Sequence, residues 1–131
     1  MLHALAVEDD DRHAALIADT LRGIAVVQRV SLADEALSAL AWVVPDVVLC
    51  DVRGTCDVSP LDAATSLRIA LDRAGDRNRS RSRIPLLLVS ACDPATLDEI
   101  ARALVATHAV PKPFSPADLR AVVARVTGVS P

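Results

Sequence analysis

The strongest constraint on the fold is an alternation. Five short apolar runs, LHALAV (2–7), AVVQRV (25–30), DVVLC (46–50), IPLLLV (84–89) and HAV (108–110), are separated by segments with helical spacing. The runs are rich in β-branched residues and lack clean polar alternation, which suits strands covered on both faces. The helix starts are equally legible. Ser115-Pro116-Ala117-Asp118 puts a hydroxyl at the N-cap, proline at the first helical position and a carboxylate at the third. Leu119, Val122, Val123 and Val126 then form one apolar stripe. Asp93-Pro94, Ser59-Pro60-Leu61-Asp62 and Ser31-Leu32-Ala33-Asp34 open three further helices by the same logic. The first helix is expected from about Asp11 to Arg22, stopping at Gly23. Strand and helix in alternation imply an α/β fold, a doubly wound parallel sheet with right-handed crossovers.

Functional groups in such open sheets gather beyond the carboxyl ends of the strands. Glu8 and Asp9 follow the first strand, Asp51 ends the third, Ser90 and Ala91 end the fourth, and Pro111-Lys112-Pro113-Phe114 ends the fifth. The stretch LAVEDDDRH sets Glu8, Asp9, Asp10 and Asp11 side by side. Four adjacent carboxylates repel one another and require either full solvation or a cation. With the first strand central and the third beside it, three carboxylates converge, and oxygen-only ligands favour Mg²⁺. A lysine and a hydroxyl nearby would complete a site for the remaining oxygens of a phosphoryl group. Asp10 and Asp11 are expected to cap or charge-match the first helix instead.

Composition narrows the classes. A chain of 131 residues, 52% apolar and 24% charged, is expected to form one globular domain over 1–131. A net charge of −3 gives no reason to expect nucleic acid or an anionic membrane as partner. No apolar run is long enough to span a bilayer, and acids interrupt the N-terminus too early for a signal peptide. Three cysteines without paired spacing fit a reducing compartment, so a cytoplasmic location is expected.

Four pieces in order, AVEDD, PDVVLCD around Asp51, LLLVSA ending at Ser90-Ala91, and PKPF at Lys112, give the chain its likeness to a known family. It resembles the receiver domains of two-component response regulators (CheY-like, flavodoxin-like fold) over essentially its whole length. The resemblance implies five helices around a five-stranded sheet of order 2-1-3-4-5. It makes Asp51 the phosphoacceptor, Asp9 a direct Mg²⁺ ligand, and Glu8 a ligand through water. Arg53 would add its backbone carbonyl to the metal. Ser90 would hydrogen-bond one phosphoryl oxygen and Lys112 would pair with another. A cis Lys112-Pro113 bond is expected, aiming Lys112 inward. The donor would be a histidine kinase or a histidine phosphotransfer protein. The domain would not be an enzyme in the ordinary sense, transferring and hydrolysing only its own phosphate; output is expected through protein contact, or through a domain beyond this sequence.

The chain also departs from that family. Ala109 stands where an aromatic residue usually pairs with the Ser90 position, and there is no tyrosine at all. The loop VRGTCDVSP lacks the usual Pro and Asp-Gly pattern, and Arg53 replaces a commoner apolar residue. Arg77, Arg79, Arg81 and Arg83 sit in a long segment, 72–83, read as a solvated insertion before the fourth strand. Docking of RNA there lacks the interleaved aromatics that base stacking needs. Cys50 and Cys92 read as small buried residues, His108 as core or rim packing, and Trp42 as packing at the end of the second helix. His3, His13 and His108 have no metal-ligand spacing, and His13 is not expected to relay phosphate. Two rivals follow from these departures. One is a scaffold of the same fold that binds proteins without phosphate. The other is a haloacid-dehalogenase-type phosphatase, which wants a second Asp where Arg53 stands.

Overall fold

Asp51 ends the second of three consecutive interior strands in a single five-stranded parallel sheet. A computed structural model describes residues 1–31, 33–40, 42, 44–51, 68–69, 71–73, 84–90, 94–103 and 108–128. The strands are β1 (Leu2–Val7), β2 (Ala25–Val30), β3 (Val47–Asp51), β4 (Leu86–Ser90) and β5 (His108–Pro111), in the order β2-β1-β3-β4-β5. The helices are α1 (Asp11–Thr20), α2 (Ala33–Leu40), α3 (helical at 68–69 and 71–73), α4 (Pro94–Ala103) and α5 (Pro116–Thr127). The parallel pairing is that expected from the alternation of the sequence, and the strand order is the one the resemblance implied.

The missing polar alternation has a direct cause in the two layers of core. Val48 and Cys50 of β3 point to one face, with Leu5, Val7, Leu86 and Leu88 beside them, under Leu40, Leu71 and Leu97 of the helices. Val47 and Leu49 point to the other, with Ala4, Ala6, Leu87 and Val89, under Ile17 and Leu21 and under Leu119, Val122 and Val123 of α5. Successive side chains of a strand alternate between faces, so a sheet covered on both sides must be apolar at every position. Truncating a fully buried residue such as Leu88 to alanine would cost about 2–5 kcal/mol.

The helix ends obey their local chemistry. Asp10 caps α1, its carboxylate accepting from the backbone N–H groups of Arg12 and His13. Ser115 caps α5 through the N–H of Asp118, with Pro116 opening the helix and Gly128 closing it at φ 75°. Glu35 reaches back from α2 to the N–H of Ser31. Arg120 of α5 donates to the carbonyls of Thr20 and Arg22, satisfying acceptors left open where α1 ends.

Three details differ from the sequence reading. The fourth strand begins at Leu86 rather than Ile84, because Pro85 has no N–H to give the ladder; its carbonyl accepts from Val48. The first helix ends at Thr20, and the turn through Leu21 and Arg22 reaches the left-handed Gly23 at φ 89°. Trp42, expected to pack, is 90% exposed. Leu40 covers the sheet there, and the chain turns after it with Trp42 N–H on the Ala39 carbonyl.

Candidate functional site

Parallel registers bring the strand tips level. Val7 lies beside Cys50, Asp51 beside Val89, and Ser90 beside Pro111, so whatever follows each strand emerges at one edge of the sheet. The turn after β1 is pinned from the neighbouring edge strand. Glu8 N–H donates to the Val30 carbonyl at 3.0 Å. The Arg29 guanidinium donates to the Glu8 carbonyl at 2.7 Å and to Asp11 Oδ1 at 2.8 Å.

The four-acid run now divides by task. Asp10 is the helix cap, and the His13 backbone N–H, aided by that of Arg12, holds its carboxyl below the ordinary carboxylate value. Asp11 pairs with Arg29. Glu8 and Asp9 are left at the strand tip, and with Asp51 they present carboxylate oxygens that all lie within 4.8 Å of one another.

Lys112 enters this cluster from the end of β5. Its Nζ donates to Glu8 Oε2 at 3.1 Å and to Asp51 Oδ1 at 3.3 Å. Glu8 is 1% exposed and Lys112 11%, so this pair is shielded from water. The other Glu8 oxygen accepts from Asp10 N–H at 3.1 Å. The Lys112-Pro113 peptide is cis, as the resemblance implied.

Asp51 carries the electrostatic cost of the arrangement. Burial raises its carboxyl above the ordinary value and the charge of Glu8 adds to the rise, while Lys112 opposes both. Lys112 meets Glu8 and Asp51 directly, in a cluster that holds a third carboxylate in Asp9. An all-oxygen donor set of this kind fits a hard divalent cation, Mg²⁺ foremost, which keeps part of its water shell. Cys50, buried next to Asp51, has its thiol pushed up to about 12, chiefly by burial and further by the charges of Asp51 and Glu8.

Of the residues singled out in the sequence, Glu8, Asp9, Asp51 and Lys112 are brought together. Ser90 ends β4 in register with Pro111, but its side chain lies outside the described residues, as do Arg53, Cys92 and the arginines at 77–83. Ala109 is half-buried against the α2–α4 side of the core. His108, as expected for a rim residue, is half-buried and lines a cavity of about 360 Å³ with Phe114 and Arg125.

His13, set aside in the sequence as a metal ligand and as a phosphate relay, nevertheless joins the cluster. Its Nδ1 lies 2.9 Å from Lys112 Nζ and 3.9 Å from Glu8 Oε1. The available signal was its place three positions beyond the Asp10 cap, on a first helical turn that begins at the strand tips. Beside it is an apolar cavity of about 320 Å³ lined by His13, Leu16, Lys112, Pro113 and Phe114.

The five-stranded open parallel sheet of order β2-β1-β3-β4-β5 is shared by solved structures. The chemotaxis protein CheY4 of Vibrio cholerae is 23% identical, with 96% of this chain and 98% of that one covered at a TM-score of 0.76. A response regulator receiver protein from Burkholderia phymatum is 23% identical over 99% and 98%, at 0.75. The receiver domain of the sensor histidine kinase PA1611 from Pseudomonas aeruginosa PAO1, with a magnesium ion coordinated in its active site cleft, is 21% identical over 97% and 98%, also at 0.75. No protein-family model and no curated protein matches the chain. The fold is therefore that of response-regulator receiver domains, over nearly the full length.

Proposed function

We infer that this chain is a phosphoacceptor of two-component signalling, a single receiver domain that takes a phosphoryl group onto Asp51 from a phosphohistidine partner. One observation carries the reading: the Lys112 amine lies 3.3 Å from Asp51, within a trio of carboxylates that could hold a metal. The magnesium seen in the PA1611 receiver domain supports the choice of ion. Glu8, Asp9 and Asp51 would hold Mg²⁺, with the Arg53 backbone carbonyl as a further ligand. When bound, the ion supplies charge neutralisation for the oxygens of a phosphoryl group.

An Asp51 oxygen attacks phosphorus in line, the phosphorus–nitrogen bond of the donor breaks, and the departing imidazole keeps that electron pair and takes up a proton. The product is an acyl phosphate on Asp51. Lys112 offsets the repulsion between the carboxylate and the incoming anion, and Ser90 would donate to a phosphoryl oxygen. Water later cleaves the acyl phosphate. The apolar cavity beside His13 and Lys112 gives the donor protein, a histidine kinase or a histidine phosphotransfer protein, a surface next to the acceptor. No helix among the described residues is long and apolar enough to cross a membrane.

The test is incubation with acetyl phosphate and Mg²⁺, followed by intact mass of the wild type and of Asp51→Asn. A single base-labile phosphate on the wild type and none on the variant is the expected result. A wild type that stays unmodified, with no spectral change on addition of beryllofluoride and Mg²⁺, overturns the reading in favour of a scaffold of the same fold.

A further inference from the structure

Lys112 has a third partner that phosphoryl transfer as described does not use. An ammonium group has three N–H donors and no acceptor, so its 2.9 Å contact with His13 requires a lone pair on Nδ1 and the ring proton on Nε2. All three donors are thereby engaged, by Glu8 at 3.1 Å, Asp51 at 3.3 Å and His13 at the shortest distance. We propose that His13 is a positioning residue: its neutral Nδ1 holds the Lys112 ammonium over Asp51 while charge moves during phosphoryl transfer. This assignment rests on the phosphoacceptor reading of Asp51.

The physical argument concerns what happens to the other two bonds. Once an Asp51 oxygen is bonded to phosphorus, it loses most of its negative charge and with it most of its hold on the amine. Glu8 keeps its charge and is buried, so it competes with the phosphoryl oxygens for an amine carried on a flexible four-carbon stem. An imidazole opposes that pull without adding a charge. It is a weaker acceptor than a carboxylate, so the amine stays free to turn toward a phosphoryl oxygen. His13 is half-exposed on the first turn of α1, anchored through its own N–H to the Asp10 cap, so its position is set by the helix and not by the acids.

The experiment compares His13→Leu, which removes the acceptor, with His13→Gln, which retains a neutral one. With acetyl phosphate and saturating Mg²⁺, His13→Leu is expected to take phosphate about tenfold more slowly than the wild type, and His13→Gln to recover to within about threefold. Nitrogen NMR supplies a second readout that a purely structural role would not move. The wild-type ring shows the Nε2–H tautomer, and the slowed proton exchange of the Lys112 ammonium is lost in His13→Leu. A His13→Leu protein that is phosphorylated at the wild-type rate, or a wild-type ring protonated on Nδ1, overturns the role of His13 alone. A wild type that takes no phosphate overturns the phosphoacceptor reading, and this role with it.

Discussion

Lys112 Nζ stands 3.1 Å from Glu8 Oε2, although 104 positions separate the two residues in the chain. The contact closes the sheet edge from its last strand to its first turn, across β4 and β3. It also shields a carboxylate that is almost wholly removed from water. A buried pair of this kind contributes little net stability against an apolar replacement, but it is costly to break from one side.

Lys112→Ala should therefore destabilise the metal-free protein by about 3–5 kcal/mol, because it leaves the Glu8 carboxylate buried without its cation. Adding Glu8→Gln to that variant should recover much of the loss, making the two substitutions strongly non-additive. Urea unfolding of the four proteins in the cycle measures this. Additive losses would show that the pair does not act as a unit.

Asp51 gives a dependence on pH and metal. Its folded carboxyl is raised above the ordinary value of 3.8, so the native state binds that proton more tightly than the unfolded chain does. Metal-free stability consequently falls as pH rises past that value, once the unfolded carboxyl has ionised and the folded one must follow at a cost. Asp51→Asn should melt higher than the wild type at neutral pH without metal, with the advantage vanishing below pH 3.8, where the acid is protonated in both states. Mg²⁺ should raise the melting temperature of the wild type well above its effect on Asp51→Asn. Differential scanning calorimetry with and without the ion checks both statements.

Arg29 tests how the acidic turn after β1 is held. Its bond to the Glu8 carbonyl is charge-assisted and partly buried, and losing it in Arg29→Ala should cost about 1.5–3 kcal/mol. The Asp11 partner is 89% exposed and adds little. Mg²⁺ affinity, measured by titration calorimetry, should weaken in parallel as the turn loosens. Lysine at this position should not restore it, since a single ammonium cannot reproduce the two-pronged guanidinium contact.

Cys50 should be inert. With its thiol pushed up to about 12, it stays protonated at neutral pH and should resist iodoacetamide in the folded protein while reacting on unfolding, as peptide mass mapping would show. The sign at high pH follows the same shift. Above the ordinary value of 9.0 the unfolded thiol ionises and the folded one cannot, so stability is lost as pH rises through that point. Cys50→Ala should remove that part of the alkaline loss.

What the sequence determined by itself is what local physics encodes. Apolar runs without alternation announced strands covered on both faces, and Ser115-Pro116 announced the start of α5. Those signals depend on backbone hydrogen bonding and burial within a few residues. That Asp51, Glu8, Asp9 and Lys112 would meet was legible because the tips of parallel strands come level at one edge of such a sheet. Which side chain meets which is a different matter. Trp42 and Leu40, two positions apart at the end of one helix, could not be ranked for the core until the turn after α2 was known. Arg29 on β2 and His13 on α1 carry no motif, yet one pins the acidic turn and the other meets the lysine. Tertiary structure decided both: the first contact depends on the register of β1 with β2, and the second on how α1 and the end of β5 are placed about the sheet, which no short stretch of sequence contains.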